Sequence, residues 1–418
     1  MSIIYDIIFF LFILVQFPVY LFKGKLKKDF LPRFGFLPEH TELDRPIWIH
    51  AVSVGEAQAV KKLLEGLKSA YPGKKFVIST VTVTGNKVVR GYCSQDDFVT
   101  YLPLDLSFIV GSVVRKIDPC LFIMVETEIW PNIICALNKK KIPIIMVNGR
   151  ISEASLKGYK LIRPFLKPVL DKISLCCVQS ESDAGRFESI GMSREKIRVT
   201  RNMKFDASIA GQGAQLLRDK LKLKKSDKLL VCGSTHKGEE KMILDAYKKL
   251  LNDFIDLRLL IAPRHPERSR SIRELVLQSG FDAREISGLK QDEPAGREIF
   301  ILDTIGQLLG FYSIADIVFI GGSLVNKGGH NILEPASFRK PVVFGPFMSN
   351  FRDIAGLFLS NNAGIMLRNR LELEPAIRSL LNHPQEAALL GDRGNRLIDS
   401  NKGATLRNIE AIKNICRV

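Results

Sequence analysis

The chain has 418 residues, and 61 Lys and Arg against 44 Asp and Glu give a formal net charge of +17. A hydrophobic share of 46 % and a charged share of 25 % exclude disorder, collagen and coiled coil, and the length suggests two or three domains. Seven cysteines with no CxxC pair and no zinc spacing exclude a secreted disulfide scaffold, while the basic excess leaves nucleic acid, an anionic membrane or a phosphorylated substrate as partners.

From Ile3 to Phe22 the chain is apolar except for Asp6, Gln16 and Pro18, and Lys23, Lys25, Lys27 and Lys28 follow at once. A cleavable signal peptide carries its basic residues first. The reversed order predicts a signal-anchor over residues 1–28. It is either one span at the short end of the ~20 residues a crossing helix needs or a helix lying in the interface. A buried core helix is the bland alternative. The basic flank would keep the remainder on the cytoplasmic face of the inner membrane.

After residue 40, short apolar runs at 47–53, 75–80, 98–102, 120–125, 142–148 and 173–179 alternate with amphipathic stretches such as 57–69. They are rich in Ile and Val and apolar on both faces, as parallel strands buried under helices are. The rhythm breaks at 204–226, where small, polar and then charged residues predict an inter-domain linker. It restarts with runs at 229–233, 257–262, 299–302, 317–321, 341–344 and 364–367. The fold expected is α/β: two consecutive Rossmann-like, doubly wound domains facing a cleft, over 29–210 and 211–418. A small residue and a Gly-Glu pair at a strand-to-helix turn occur in both halves, at Ser53 to Glu56 and at Ser234 to Glu239. This is the architecture of the GT-B glycosyltransferases, a likeness of fold alone.

Neither Asp-x-Asp, nor GxxxxGKS/T, nor GxGxxG is present, so no metal site is expected and basic side chains and helix N-termini must hold any nucleotide phosphate. Four segments at strand ends carry the candidate chemistry. His50-Ala51-Val52-Ser53-Val54-Gly55-Glu56 ends in a carboxylate at a helix start. Such a group is either a helix-dipole partner or a base for a sugar hydroxyl. Met124-Val125-Glu126-Thr127-Glu128-Ile129-Trp130-Pro131-Asn132 adds two carboxylates and a tryptophan, with Pro131 suited to open a helix. Ala262-Pro263-Arg264-His265-Pro266-Glu267-Arg268 is either a phosphate clamp or a solvated loop. Gly321 to Pro335 brackets a loop with glycine pairs, then enters a helix with Asn331 as a cap and Glu334 one turn in, able to accept from ribose hydroxyls.

Together with Asn-Met-Lys-Phe-Asp at 202–206 and Ser-Thr-His-Lys-Gly-Glu-Glu at 234–240, these segments follow one another in a specific order. In that order they resemble the Kdo (3-deoxy-D-manno-octulosonic acid) transferases of lipopolysaccharide synthesis, over nearly the whole chain. The resemblance implies a GT-B enzyme that moves Kdo from CMP-Kdo to a lipid A precursor, lipid IVA, with no metal or other cofactor. It implies Glu56 as general base, and Glu126 and Lys204 as supports of the transition state. Pro263 and Arg264, then Ile305, Gly306 and Gln307, then Asn331, Ile332, Leu333 and Glu334 are implied to hold CMP. Gln307 departs from members that carry an acid there. Inverting displacement is expected, because CMP is a good leaving group and the protein needs a base and a positive field, from Lys204, Arg264 and His265. Basic runs at Lys61-Lys62, Lys139-Lys140-Lys141 and from Lys157 to Lys172 fit an anionic membrane or are ordinary solubility charge. A membrane-associated GT-B enzyme with a UDP-sugar donor and a lipid acceptor is the alternative. A nucleic-acid binder would show interleaved aromatic and basic residues, which this chain does not.

Overall fold

Each Ile/Val-rich run becomes a strand because helices cover it on both faces. The computed structural model describes residues 2–22, 28–37, 43–52, 54–206, 214–289 and 296–416. Ser53, residues 207–213 of the expected linker, and Lys23, Lys25 and Lys27 of the basic flank lie outside the described residues. The chain divides into two units, Met1–Ala207 with Asn401–Val418, and Ser208–Ser400.

In the first unit the strands are β1 (Ile47–Ala51), β2 (Phe76–Thr80), β3 (Phe98–Tyr101), β4 (Leu121–Val125), β5 (Ile144–Gly149), β6 (Leu175–Val178) and β7 (Ile197–Val199). They pair throughout in parallel in the order β3-β2-β1-β4-β5-β6-β7. Every residue of β1, β2, β4, β5 and β6 is buried. One face packs Trp48, Phe122, Met124 and Met146; the other packs Ile47, Ile49, Ile123 and Val147. His50 belongs to this core: Nδ1 lies 3.1 Å from Ser79 O, and burial pushes its pKa down to about 4, so the ring is neutral. Strand order reverses between β1 and β4, and ligands of such sheets bind beyond the carboxyl ends at that point.

The second unit repeats the plan with β8 (Lys228–Thr235), β9 (Leu257–Pro263), β10 (Ala283–Glu285), β11 (Ile299–Ile301), β12 (Ile317–Ile320), β13 (Val342–Phe344) and β14 (Ile365–Met366). The order is β10-β11-β9-β8-β12-β13-β14, again parallel, with the switch between β8 and β12. Two strands escape the sequence pattern, β7 and β10. Both are three-residue edge strands bearing Arg198 or Arg284 and Glu285, with no run of buried apolar residues to announce them.

The C-terminal segment departs from the expected 211–418 assignment. The helix Ala404–Ile415 returns to the first unit, where Ala404, Ile409 and Ile412 join the core beside Ala57 to Leu67. Gly66 permits the approach, since a Cβ there would sit 2.3 Å from Ile409 Cδ1. Asp206 accepts from the backbone N–H groups of Gly403 (2.6 Å) and Thr405 (2.5 Å), satisfying donors at the start of that helix.

The N-terminal segment forms one helix, Ser2–Phe22. Its Asp6 accepts from Ser107 N (3.0 Å) and Asn132 Nδ2 (2.7 Å), and Phe9 meets the Trp130 ring edge-on at 6.4 Å. Ile3, Ile4, Ile7, Ile8, Phe10, Leu11 and Leu14 face outward, at least half exposed. Among the described residues no helix is long and apolar enough to cross a membrane.

Candidate functional site

In the first unit three acidic side chains gather at the β1/β4 switch. Glu56 lies in the first turn of the helix Val54–Ala70, directly after β1, and its Oε2 accepts from Val52 N at 2.7 Å. It is 7 % exposed, a carboxylate held by the helix start and largely withdrawn from water. Glu126 follows β4 with φ +61°, a left-handed conformation that a non-glycine residue adopts at a cost of ~1–3 kcal/mol. The turn aims its carboxylate at two cations: Lys204 Nζ is 2.8 Å from Oε1 and Arg150 Nε is 3.5 Å from Oε2. Glu128 Oε2 accepts from Trp130 Nε1 at 3.0 Å. Its burial, with the negative charges of Glu56 and Glu126, pushes its pKa up to about 7.

Lys204 is carried by the 3-10 turn Met203–Asp206. Asn148, at φ +57° near the end of β5, accepts from Met203 N through Oδ1 (3.0 Å), and Asn202 Oδ1 accepts from Lys204 N (2.9 Å). Gln179 donates to Asn148 O and accepts from Asn202 Nδ2, closing the network. Four strand ends thus fix one ion pair between residues 78 positions apart. The structure brings together Glu56, Glu126, Glu128 and Lys204. Arg150 and Asn148 were missed, because Asn-Gly-Arg at a strand end carries no pattern that separates it from an ordinary turn.

The second unit offers a cationic counterpart on its own β8/β12 switch. Pro263 is buried at the end of β9, and the exposed Arg264 is anchored by its N–H to Thr235 O at 3.0 Å. Ile305, Gly306 and Gln307 form an exposed turn beyond β11, with Gly306 at φ +89°. Asn331 Oδ1 accepts from Leu333 N (3.1 Å) and its Nδ2 donates to Glu334 Oε1 (3.1 Å). The side chains of Ile332 and Leu333 are buried in the core, so only their backbone can face a ligand. The helix is short, Leu333–Ser337, so Glu334 lies in its first turn rather than one turn in. Burial raises the Glu334 pKa against the pull of Asn331 and Arg264. Among the described residues no group of three His, Cys, Asp or Glu could hold a metal ion.

Comparison with known proteins adds an independent line. The family profile described as "3-Deoxy-D-manno-octulosonic-acid transferase (kdotransferase)" matches residues 28–207, the unit that carries the carboxylates. A 3-deoxy-D-manno-octulosonic acid transferase of Haemophilus influenzae is 33 % identical over 88 % of this chain and 86 % of its own. One of Chlamydophila psittaci is 31 % identical over 98 % and 95 %. A solved glycosyltransferase of Rickettsia africae superposes with a TM-score of 0.59 at 15 % identity, covering 89 % of this chain and 98 % of its own. That likeness is one of fold, the GT-B pairing of two Rossmann-like domains.

Proposed function

Since the chain belongs to the Kdo transferase family, we propose that it transfers Kdo from CMP-Kdo to the glucosamine disaccharide of lipid IVA by metal-independent inverting displacement. The observation that carries this reading is the set of carboxylates at the β1/β4 switch, with Glu126 clamped by Lys204 and Arg150. Glu56 is the base that takes the proton from the attacking sugar hydroxyl. The Val52 amide orients its carboxylate and Glu128, with a pKa near 7, feels its charge across the same site. The Lys204–Glu126 pair supports the oxocarbenium-like centre that forms when the bond to CMP breaks. In the second unit Arg264, the 305–307 turn and the backbone from Asn331 to Glu334 hold CMP, and Arg264 offers a fork to the departing phosphate.

The acceptor is a lipid, and two exposed surfaces of the first unit suit a bilayer. One is the apolar outer stripe from Ile3 to Leu14. The other is the pair of consecutive helices Glu153–Leu161 and Arg163–Leu170, where exposed Leu161, Ile162 and Phe165 stand among Lys157, Lys160, Arg163 and Lys167. This favours the interfacial form of the N-terminal anchor and an enzyme on the cytoplasmic face of the inner membrane, each basic residue contributing about 1 kcal/mol at an anionic surface. The donor test is ligand protection against thermal unfolding. A nucleotide at about 100 times its Kd stabilises by about 2.7 kcal/mol. CMP is expected to raise the midpoint and UDP to leave it unchanged; the reverse result identifies a UDP-sugar enzyme instead.

A further inference from the structure

Two of the six histidines meet head to head in the second unit. His236 follows β8 and His330 follows β12, 94 positions apart. Their Nε2 atoms are 2.9 Å apart, the ring planes differ by 2°, and the centroids are 5.1 Å apart. Rings in face-to-face contact would have closer centroids. Coplanar rings with this short N···N distance are joined edge to edge and share one proton, one Nε2 donating and the other accepting. A third imidazole, His265, stands perpendicular to His236 at 6.0 Å.

The scaffold under the pair is built for it. The Glu239 carboxylate accepts from His236 N (2.9 Å), Gly322 N (2.7 Å), Ser323 N (3.1 Å) and Leu324 N (3.0 Å), tying the two histidine loops together. Gly322, at φ +67°, leaves the rings their space, since a Cβ there would come within 3.1 Å of His330 and 3.2 Å of His236. The titratable and charged groups facing the pair are Arg264, His265 and Arg268 from the loop after β9, Lys327 from the glycine loop, and Glu240 from the helix below. Arg268 lies 2.8 Å from Glu240, and Glu239 is consumed by its four amides. The field is cationic. It acts with burial to lower the pKa of His236, and to lower that of His330 to about 4, so the unliganded pair is neutral.

We propose that the His236–His330 pair is a proton-uptake site for the phosphate of a bound nucleotide. This rests on the nucleotide reading given above. A phosphate dianion beside Arg264 offsets the cationic field that keeps the pair neutral. One proton then passes from solvent to the accepting Nε2, no covalent bond between heavy atoms changes, and the pair gains one positive charge. With a hydrogen on each Nε2 the shared bond is lost, and both N–H groups become free to donate to phosphate oxygens. By linkage, nucleotide affinity rises as pH falls and weakens as pH climbs through the pKa of the liganded pair.

The test is calorimetric titration of the full chain with CMP at pH 7.5, in two buffers of different ionisation enthalpy. That pH lies above the second phosphate pKa of about 6, so the ligand itself is already a dianion. Binding is expected to take up about one proton. His236→Gln and His330→Gln are expected to bind CMP on the order of tenfold more weakly and to take up distinctly less than the parent. The more open setting of His236 makes the first variant the safer for folding. CMP binding without proton uptake, or uptake undiminished in His236→Gln, overturns this proposal alone. Absence of CMP binding to the unaltered protein overturns the donor reading and this proposal with it.

Discussion

Replacing Lys204 by Met removes the nearer of the two cations on Glu126. The ammonium is 2.8 Å from Oε1, while Arg150 stays 3.5 Å from Oε2. Breaking a fully buried pair from one side costs about 3–5 kcal/mol, and an exposed pair is worth about 0–1 kcal/mol. The two side chains are 18 % and 14 % exposed; with Arg150 still in place, the loss should fall between those limits, at about 2 kcal/mol. For a unit of this size that lowers the midpoint of thermal unfolding by about 4–8 °C. Calorimetry of Lys204→Met, Glu126→Gln and the double variant forms a complete cycle. The double variant should recover most of the loss, because the uncompensated carboxylate is gone, leaving a coupling of about 1–2 kcal/mol. Transfer should fall steeply in all three, since each dismantles the clamp. A midpoint within about 1 °C of the parent for Lys204→Met, or costs that simply add in the double variant, would refute the reasoning.

Glu128 has its pKa raised from 4.5 to about 7, so the folded state holds a proton that the unfolded chain has released, and stability falls as pH rises through that window. Glu128→Gln keeps an acceptor for Trp130 and should stabilise by about 2 kcal/mol at pH 8, after allowance for partial exposure, with the gain vanishing below pH 4.5; denaturant midpoints against pH report it. Gly321→Ala would put a Cβ 2.5 Å from Ser234 O and 2.6 Å from Thr235 Cα, both backbone, so urea unfolding should show a loss of about 1–3 kcal/mol or more. Changing both Leu161 and Phe165 to Asp, at positions already solvent-exposed, should leave the unfolding midpoint within experimental error while sharply reducing sedimentation with anionic vesicles. Unchanged sedimentation would remove this face from the membrane contact.

Twelve of the fourteen strands were readable because parallel strands covered on both faces must be continuous apolar runs. β7 and β10 were not, since an edge strand can carry arginine outward and still close its ladder. The return of Ala404–Ile415 to the first unit was also hidden: an apolar stripe says that a helix packs, not against which domain. At the site, Glu56, Glu126 and Glu128 were visible as carboxylates just beyond buried runs. Lys204 entered through resemblance alone, because nothing local ties it to a glutamate 78 positions earlier. Arg150 and the His236–His330 pair stayed silent for the same reason, each being made by strand ends that meet only in the folded sheet.

The central claim is that Glu56 serves as base in the transfer of Kdo to a lipid disaccharide. The most direct measurement is the product mass after incubating the full chain with CMP-Kdo and a tetra-acylated glucosamine disaccharide bisphosphate. The account predicts a gain of whole Kdo residues, released CMP, and a rate about 10²–10⁴-fold lower for Glu56→Gln, with its unfolding midpoint close to that of the parent because the amide oxygen can still accept from Val52. An acceptor of unchanged mass, or a Glu56→Gln variant as fast as the parent, would contradict it.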